Sequence, residues 1–156
     1  MVLQSLIFTL TLALWFQGNV PLAALMASDC LNASEKKRLS AEEKIDGRVK
    51  VYRDISERLH QSVESDVGKQ SFNEASSLVR CWMDVVASSL KDIEANINRK
   101  KKSGALINYE IQLRKSIVDM GDARLKVPFQ QQGDFESWLT QANTAHTKFV
   151  DILFQR

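Results

Sequence analysis

From Ser40 onward, apolar and charged positions alternate at intervals of three and four, the period of helices with one side against a core. The first stripe runs Ile45, Val49, Tyr52, Ile55, Leu59 and Val63. Before it, Ser40-Ala41-Glu42-Glu43 has the order of a capping box, and Ser34 offers an earlier cap. Opposite the stripe lie the i,i+4 pairs Lys50–Asp54, Arg53–Glu57 and Asp54–Arg58, which predict a solvent-facing side. Gly47 costs this helix about 1 kcal/mol relative to Ala, and Gly68 is its expected stop.

A second capping box, Ser71-Phe72-Asn73-Glu74, opens the next stripe: Phe72, Ala75, Val79, Trp82, Val86, Leu90, Ile93 and Ile97. It reaches the basic cluster Arg99-Lys100-Lys101-Lys102 and then Ser103-Gly104. Cations suit the negative end of a helix dipole, so the sequence favours a break or kink at Ser103-Gly104. A near-seven-residue phase through Ile107, Ile111, Val118 and Leu125 supports the alternative of a helix that runs on.

Leu106 to Leu125 is apolar over a wide face, as expected of a helix touching more than one neighbour. Val127-Pro128-Phe129 and Gln130-Gln131-Gln132-Gly133 read as a connection. Asp134 then caps a last helix with the stripe Phe135, Trp138, Leu139, Ala142, Ala145, Phe149, Ile152 and Leu153. The expected fold is all-α: an elongated antiparallel bundle of three to four long amphipathic helices. Two first helices of about 30 residues each would span about 45 Å.

The N-terminus follows another pattern. All 21 Lys and Arg and all 19 Asp and Glu lie beyond Ser28. Leu6 to Phe16 is an apolar run of export-signal length, followed by Gln17-Gly18-Asn19-Val20-Pro21 and the small-residue segment ending at Ala27. Residues 1–27 are therefore read as an export signal, cleaved after Ala27, and residues 28–156 as one helical-bundle domain. An uncleaved membrane anchor is the alternative, although Gln17, Gly18, Asn19 and Pro21 would sit inside its span.

The formal net charge of +2 points neither to a polyanion-binding protein nor to an acidic tail. Two cysteines, Cys30 and Cys81, exclude a disulfide-dense scaffold and a Cys-based zinc cluster. In an oxidising compartment they can pair, closing a loop of about 50 residues worth about 4 kcal/mol; the alternative is a buried Cys81 and a free thiol at Cys30. Asn32-Ala33-Ser34 fits a glycosylation acceptor if the host is eukaryotic.

Glu57 and His60, three apart, have the spacing of a di-iron carboxylate motif. Leu59 holds the core stripe and swings Glu57 away from it, which leaves Glu57 and His60 as surface residues of a charged helix; the residue three before His146 is Asn143, so no metal site is assigned. His60 and His146 lack a recognisable nucleophile partner. Cys81, Trp82 and Trp138 read as core. No catalytic residue, metal ligand or cofactor is assigned. Arg99, Lys100, Lys101 and Lys102 are the candidate contact for an anionic partner; with no aromatic interleaving, nucleic acid is not expected.

The sequence thus predicts an exported (periplasmic or secreted), non-catalytic protein-binding, chaperone-like or adaptor module with an unidentified protein partner. The alternatives are a membrane-anchored helical protein and a small-ligand carrier or enzyme with a pocket in the bundle core. Near-heptad stripes also suit a homodimer.

Overall fold

Long stretches free of proline and short polar connections give helices. The computed structural model describes residues 31–154, which form α1 (Ala33–Ala41), α2 (Ile45–Gly68), α3 (Phe72–Asn96), α4 (Gly104–Arg124) and α5 (Phe129–Phe154), with no strand among them. Residues 1–27, read above as an export signal, and Cys30 lie outside the described residues. No described helix is long and apolar enough to cross a membrane.

Among the described residues there are five helices where three to four were expected, because the chain breaks after Ala41. Ser40 is not a cap: it lies in the last turn of α1 and donates to the Lys37 carbonyl at 3.0 Å. The capping box sits upstream, where Asn32 Oδ1 accepts from Glu35 N and Glu35 returns the bond to Asn32 N, both at 2.9 Å. Arg48 holds the break. Its guanidinium donates to the carbonyls of Glu42 and Glu43 and, at 2.7 and 2.8 Å, to both carboxylate oxygens of Asp92 on α3.

The charged side of α2 is not bare. Arg58 reaches Glu35 at 2.8 Å and Arg38 reaches Asp54 at 2.7 Å, so α1 lies antiparallel along α2. Asp54 and Arg58 thus serve α1 rather than each other. Gly68 does end α2, while Gln70 takes the left-handed turn at φ 60°. Ser71 precedes α3 as expected but makes no side-chain cap.

The chain breaks between α3 and α4, earlier than Ser103-Gly104. Helix α3 ends at Asn96, and the basic cluster lies in the connection, not on a helix end. Ser103 starts the next helix: its Oγ accepts from Leu106 N at 3.1 Å and donates to Asp46 at the start of α2 at 2.7 Å. Gln130 to Gly133 lie inside α5, because Pro128, with its fixed φ, opens that helix directly. Asp134 is no cap and instead pairs with Arg80 at 2.6 Å.

Helices α2–α5 close a ring in the order α2, α3, α5, α4. Cross-helix partners fix the directions. Arg48–Asp92 and His60–Trp82 make α2 and α3 antiparallel; Glu110–His146 and Arg124–Glu136 do the same for α4 and α5. The two hairpins then meet in parallel. Asp46, Ser56 and His60 face Ser103, Tyr109 and Ser116, and Asn73, Arg80 and Met83 face Gln131, Asp134 and Gln141. Half of the ring contacts are therefore parallel, against the expectation of an antiparallel bundle. Helices α3 and α4 stand diagonally, and residues 97–103 cross one end of the bundle to join them. With 24 residues, α2 spans about 36 Å.

Every expected stripe reaches the core in part: Val49, Ile55, Leu59, Val79, Trp82, Ile93, Leu113, Phe135, Trp138 and Phe149 are all fully buried. Helix α4 touches two neighbours, α2 and α5, as its wide apolar face predicted, but not all of that face is covered. Ile111, Val118 and Leu125 face solvent.

Candidate functional site

The crossing connection builds a concavity at one end of the bundle. Because α3 ends at Asn96, Arg99 to Lys102 are carried across the end of the bundle, next to the last turn of α5. A cleft of about 950 Å³ results, with Ile97, Leu106, Ile152, Leu153 and Phe154 as its apolar wall and Arg99, Lys100, Lys101 and Lys102 at its rim. All four cations are exposed. Asn98 shapes the turn: its Oδ1 accepts from Lys100 N at 3.0 Å, and its carbonyl accepts from Lys101 N at 3.1 Å. Among the described residues, no acidic side chain lines the cleft. Phe154 is largely exposed there, a large apolar ring held in water. Such a site is suited to a ligand that is both anionic and apolar.

His60 is not the surface residue the sequence suggested. It is buried, while Glu57 is exposed and takes no part. The ring lies between α2 and α4, with Nδ1 3.3 Å from Ser116 Oγ and Nε2 3.4 Å from Asp119 Oδ2 and 3.6 Å from Glu64 Oε1. The order serine, histidine, aspartate resembles that of a nucleophile with its base. However, Ser116 is completely buried and takes a 3.0 Å hydrogen bond from Gln112, so no substrate carbonyl can approach its hydroxyl.

Sequence reasoning missed Glu64 and Asp119. His60–Glu64 has i,i+4 spacing and was legible; Asp119 arrives only through the parallel packing of α4 on α2. His146 donates to Glu110 at 2.9 Å, tying α5 to α4, and Glu110 also meets Arg114 at 3.3 Å.

The indoles of Trp82 and Trp138 are fully buried against each other, their ring centroids 4.3 Å apart, and fill the middle of the bundle. Cys81 is buried and disulfide-bonded. Asn32 is exposed, with its side-chain oxygen engaged as the α1 cap. Cys81 lies in the middle of α3, away from the basic cluster, which follows that helix's C-terminal end. Comparison with known proteins found no matching family model, no matching curated protein and no matching solved structure.

Proposed function

We propose that this chain is an exported, non-catalytic binding module whose crossover cleft takes an acidic segment of a partner protein. The observation that carries this reading is the joining of four exposed cations to an apolar wall at one end of the bundle. Acidic side chains would meet the rim, and one apolar side chain of the partner would cover Phe154. Rim cations set the association rate and the salt dependence, and the apolar anchor holds the complex. A role as a core-pocket carrier draws less support, because Trp82 and Trp138 occupy the interior such a ligand would need.

The test uses a fluorescent peptide alternating Glu and Leu, compared with its Lys–Leu counterpart and with anionic phospholipid vesicles. The acidic peptide should bind, and its Kd should rise about tenfold between low and high salt. Lys100→Glu with Lys101→Glu should abolish binding without changing the far-UV spectrum. Binding that ignores this double reversal would overturn the reading. A preference for vesicles would replace the protein partner with a membrane surface. Export is tested separately by intact mass from the native host: a soluble species starting at Ser28 supports it, and a full-length species in the membrane fraction supports the anchored alternative.

A further inference from the structure

A buried imidazole nitrogen is costly unless something uses it. His60 is 2 % exposed, and its Nε2 has no hydrogen-bond partner although two carboxylates face it. The distances, 3.4 Å to Asp119 Oδ2 and 3.6 Å to Glu64 Oε1, are long for a charge-assisted N–H···O bond, which closes to about 2.7–2.9 Å. They lie close to the edge of a coordination tetrahedron. Donors each about 2.0–2.1 Å from a zinc ion stand about 3.3–3.4 Å apart. All three donor atoms fall within 4.8 Å of one another.

The geometry points to a divalent transition-metal site formed by His60, Glu64 and Asp119, of the zinc type, with a fourth position open to water. One imidazole and two carboxylates are an N/O donor set that such ions accept. Ser116 supports it from behind. Its hydroxyl has two lone pairs; one receives Gln112 Nε2–H at 3.0 Å, and the other faces His60 Nδ1 at 3.3 Å. With Nδ1–H donated there, the lone pair of Nε2 points at the carboxylates, the arrangement that metal-binding histidines take.

The carboxylates also give the ion a way in, since the Glu64 side chain is half exposed and that of Asp119 about one-quarter exposed. Lys115 holds Asp119 Oδ2 at 2.8 Å and competes for it, but this lysine is mostly in solvent and can swing away when a dication takes the oxygen. A bound ion would pin α2 to α4 along their parallel interface, away from the crossover cleft.

The probe is zinc chloride alone, titrated calorimetrically into the folded, chelator-treated protein with its disulfide intact. One ion should bind per chain. Asp119→Asn and Glu64→Gln should each weaken binding at least tenfold, whereas Glu57→Gln and His146→Gln leave it unchanged. Copper(II) gives a second readout. Because the His60 and Trp82 ring centroids are 5.5 Å apart, it should quench tryptophan emission in the native chain and much less in Asp119→Asn. Absence of saturable zinc binding, or binding untouched by the Glu64→Gln and Asp119→Asn pair together, would overturn the site.

Discussion

The phenolic oxygen of Tyr109 lies 3.0 Å from Ser89 Oγ, joining α4 to α3 across the diagonal of the bundle. The direction of the bond follows from proton counting. Ser89 gives its single proton to the Val86 carbonyl at 2.8 Å, so Tyr109 donates to Ser89. Tyr109 then accepts from Ser56 on α2 at 3.2 Å. One fully buried relay thus links three helices and fixes how the two hairpins meet.

Removing the middle of that relay should weaken the whole fold. Tyr109→Phe keeps the ring against Phe149 but leaves Ser56 without its acceptor. A loss of about 1–2 kcal/mol is expected in urea unfolding, with the slope unchanged. A Tyr109→Phe protein as stable as the parent would mean that the relay contributes nothing net.

The same tyrosines predict an alkaline limit. Burial holds the Tyr109 hydroxyl above its ordinary pKa of about 10; burial and then the neighbouring Asp92 charge do the same for Tyr52. Each folded-state pKa lies above the unfolded one. Their contribution is therefore fully present below pH about 10 and is lost as pH rises through the folded-state values. Unfolding midpoints should fall steeply above pH about 10. The fall should be shallower in a Tyr52→Phe, Tyr109→Phe double variant relative to its own value at pH 8.

Much of this fold is legible in the sequence because burial and period coincide. The stripes on α2, α3 and α5 predict Leu59, Trp82 and Trp138 as core, and all three are fully buried. What periodicity cannot supply is partnership between helices. Ser56, Ser89 and Ser116 look like surface serines in the sequence, yet they are buried because polar atoms of other helices meet them. The parallel pairing of α2 with α4 is likewise invisible locally, and with it the approach of Asp119 to His60. Gln130 to Gly133 misled for the opposite reason: polar composition suggests a loop, but a proline-initiated first turn needs no apolar residues when it faces water.

Arg48 ties three pieces of chain together, so its loss should exceed that of a surface pair. Its side chain and that of Asp92 are each only 14 % exposed, and it also serves the Glu42 and Glu43 carbonyls. Arg48→Ala should cost about 3 kcal/mol, since it leaves the mostly buried Asp92 carboxylate without its cation. A double-mutant cycle with Asp92→Ala should return a coupling of about 1–3 kcal/mol; additive losses would show that the pair does not act together.

Glycines inside helices give a prediction of the opposite sign. Gly133 sits in the second turn of α5 with nothing near the position a Cβ would take, so Gly133→Ala should stabilise by about 0.5–1 kcal/mol. Gly47→Ala should gain less. Its Cβ would collide with the Glu42 side chain, whose Oε1 accepts from Lys44 N at 3.1 Å at the helix break. Thermal melts of the two variants separate the cases, and an equal gain at both sites would show that the Glu42 contact does not matter.

The last prediction concerns the cysteines. Cys81 on α3 is disulfide-bonded, and Cys30 is the one other cysteine in the chain. Leu31, which follows Cys30, is buried, and Arg58 grips Glu35 four residues further on. A bridge from Cys81 to Cys30 would anchor a segment that α2 already holds through Glu35, which limits what it adds in the folded state. Its main effect should fall on the unfolded chain, by restricting a loop of about 50 residues. Reduction should then lower stability by about 2–4 kcal/mol while leaving the far-UV spectrum of the folded protein unchanged. Non-reducing peptide mapping should recover the two cysteines in one fragment. Free thiol at Cys30 in protein purified under oxidising conditions would sink the pairing.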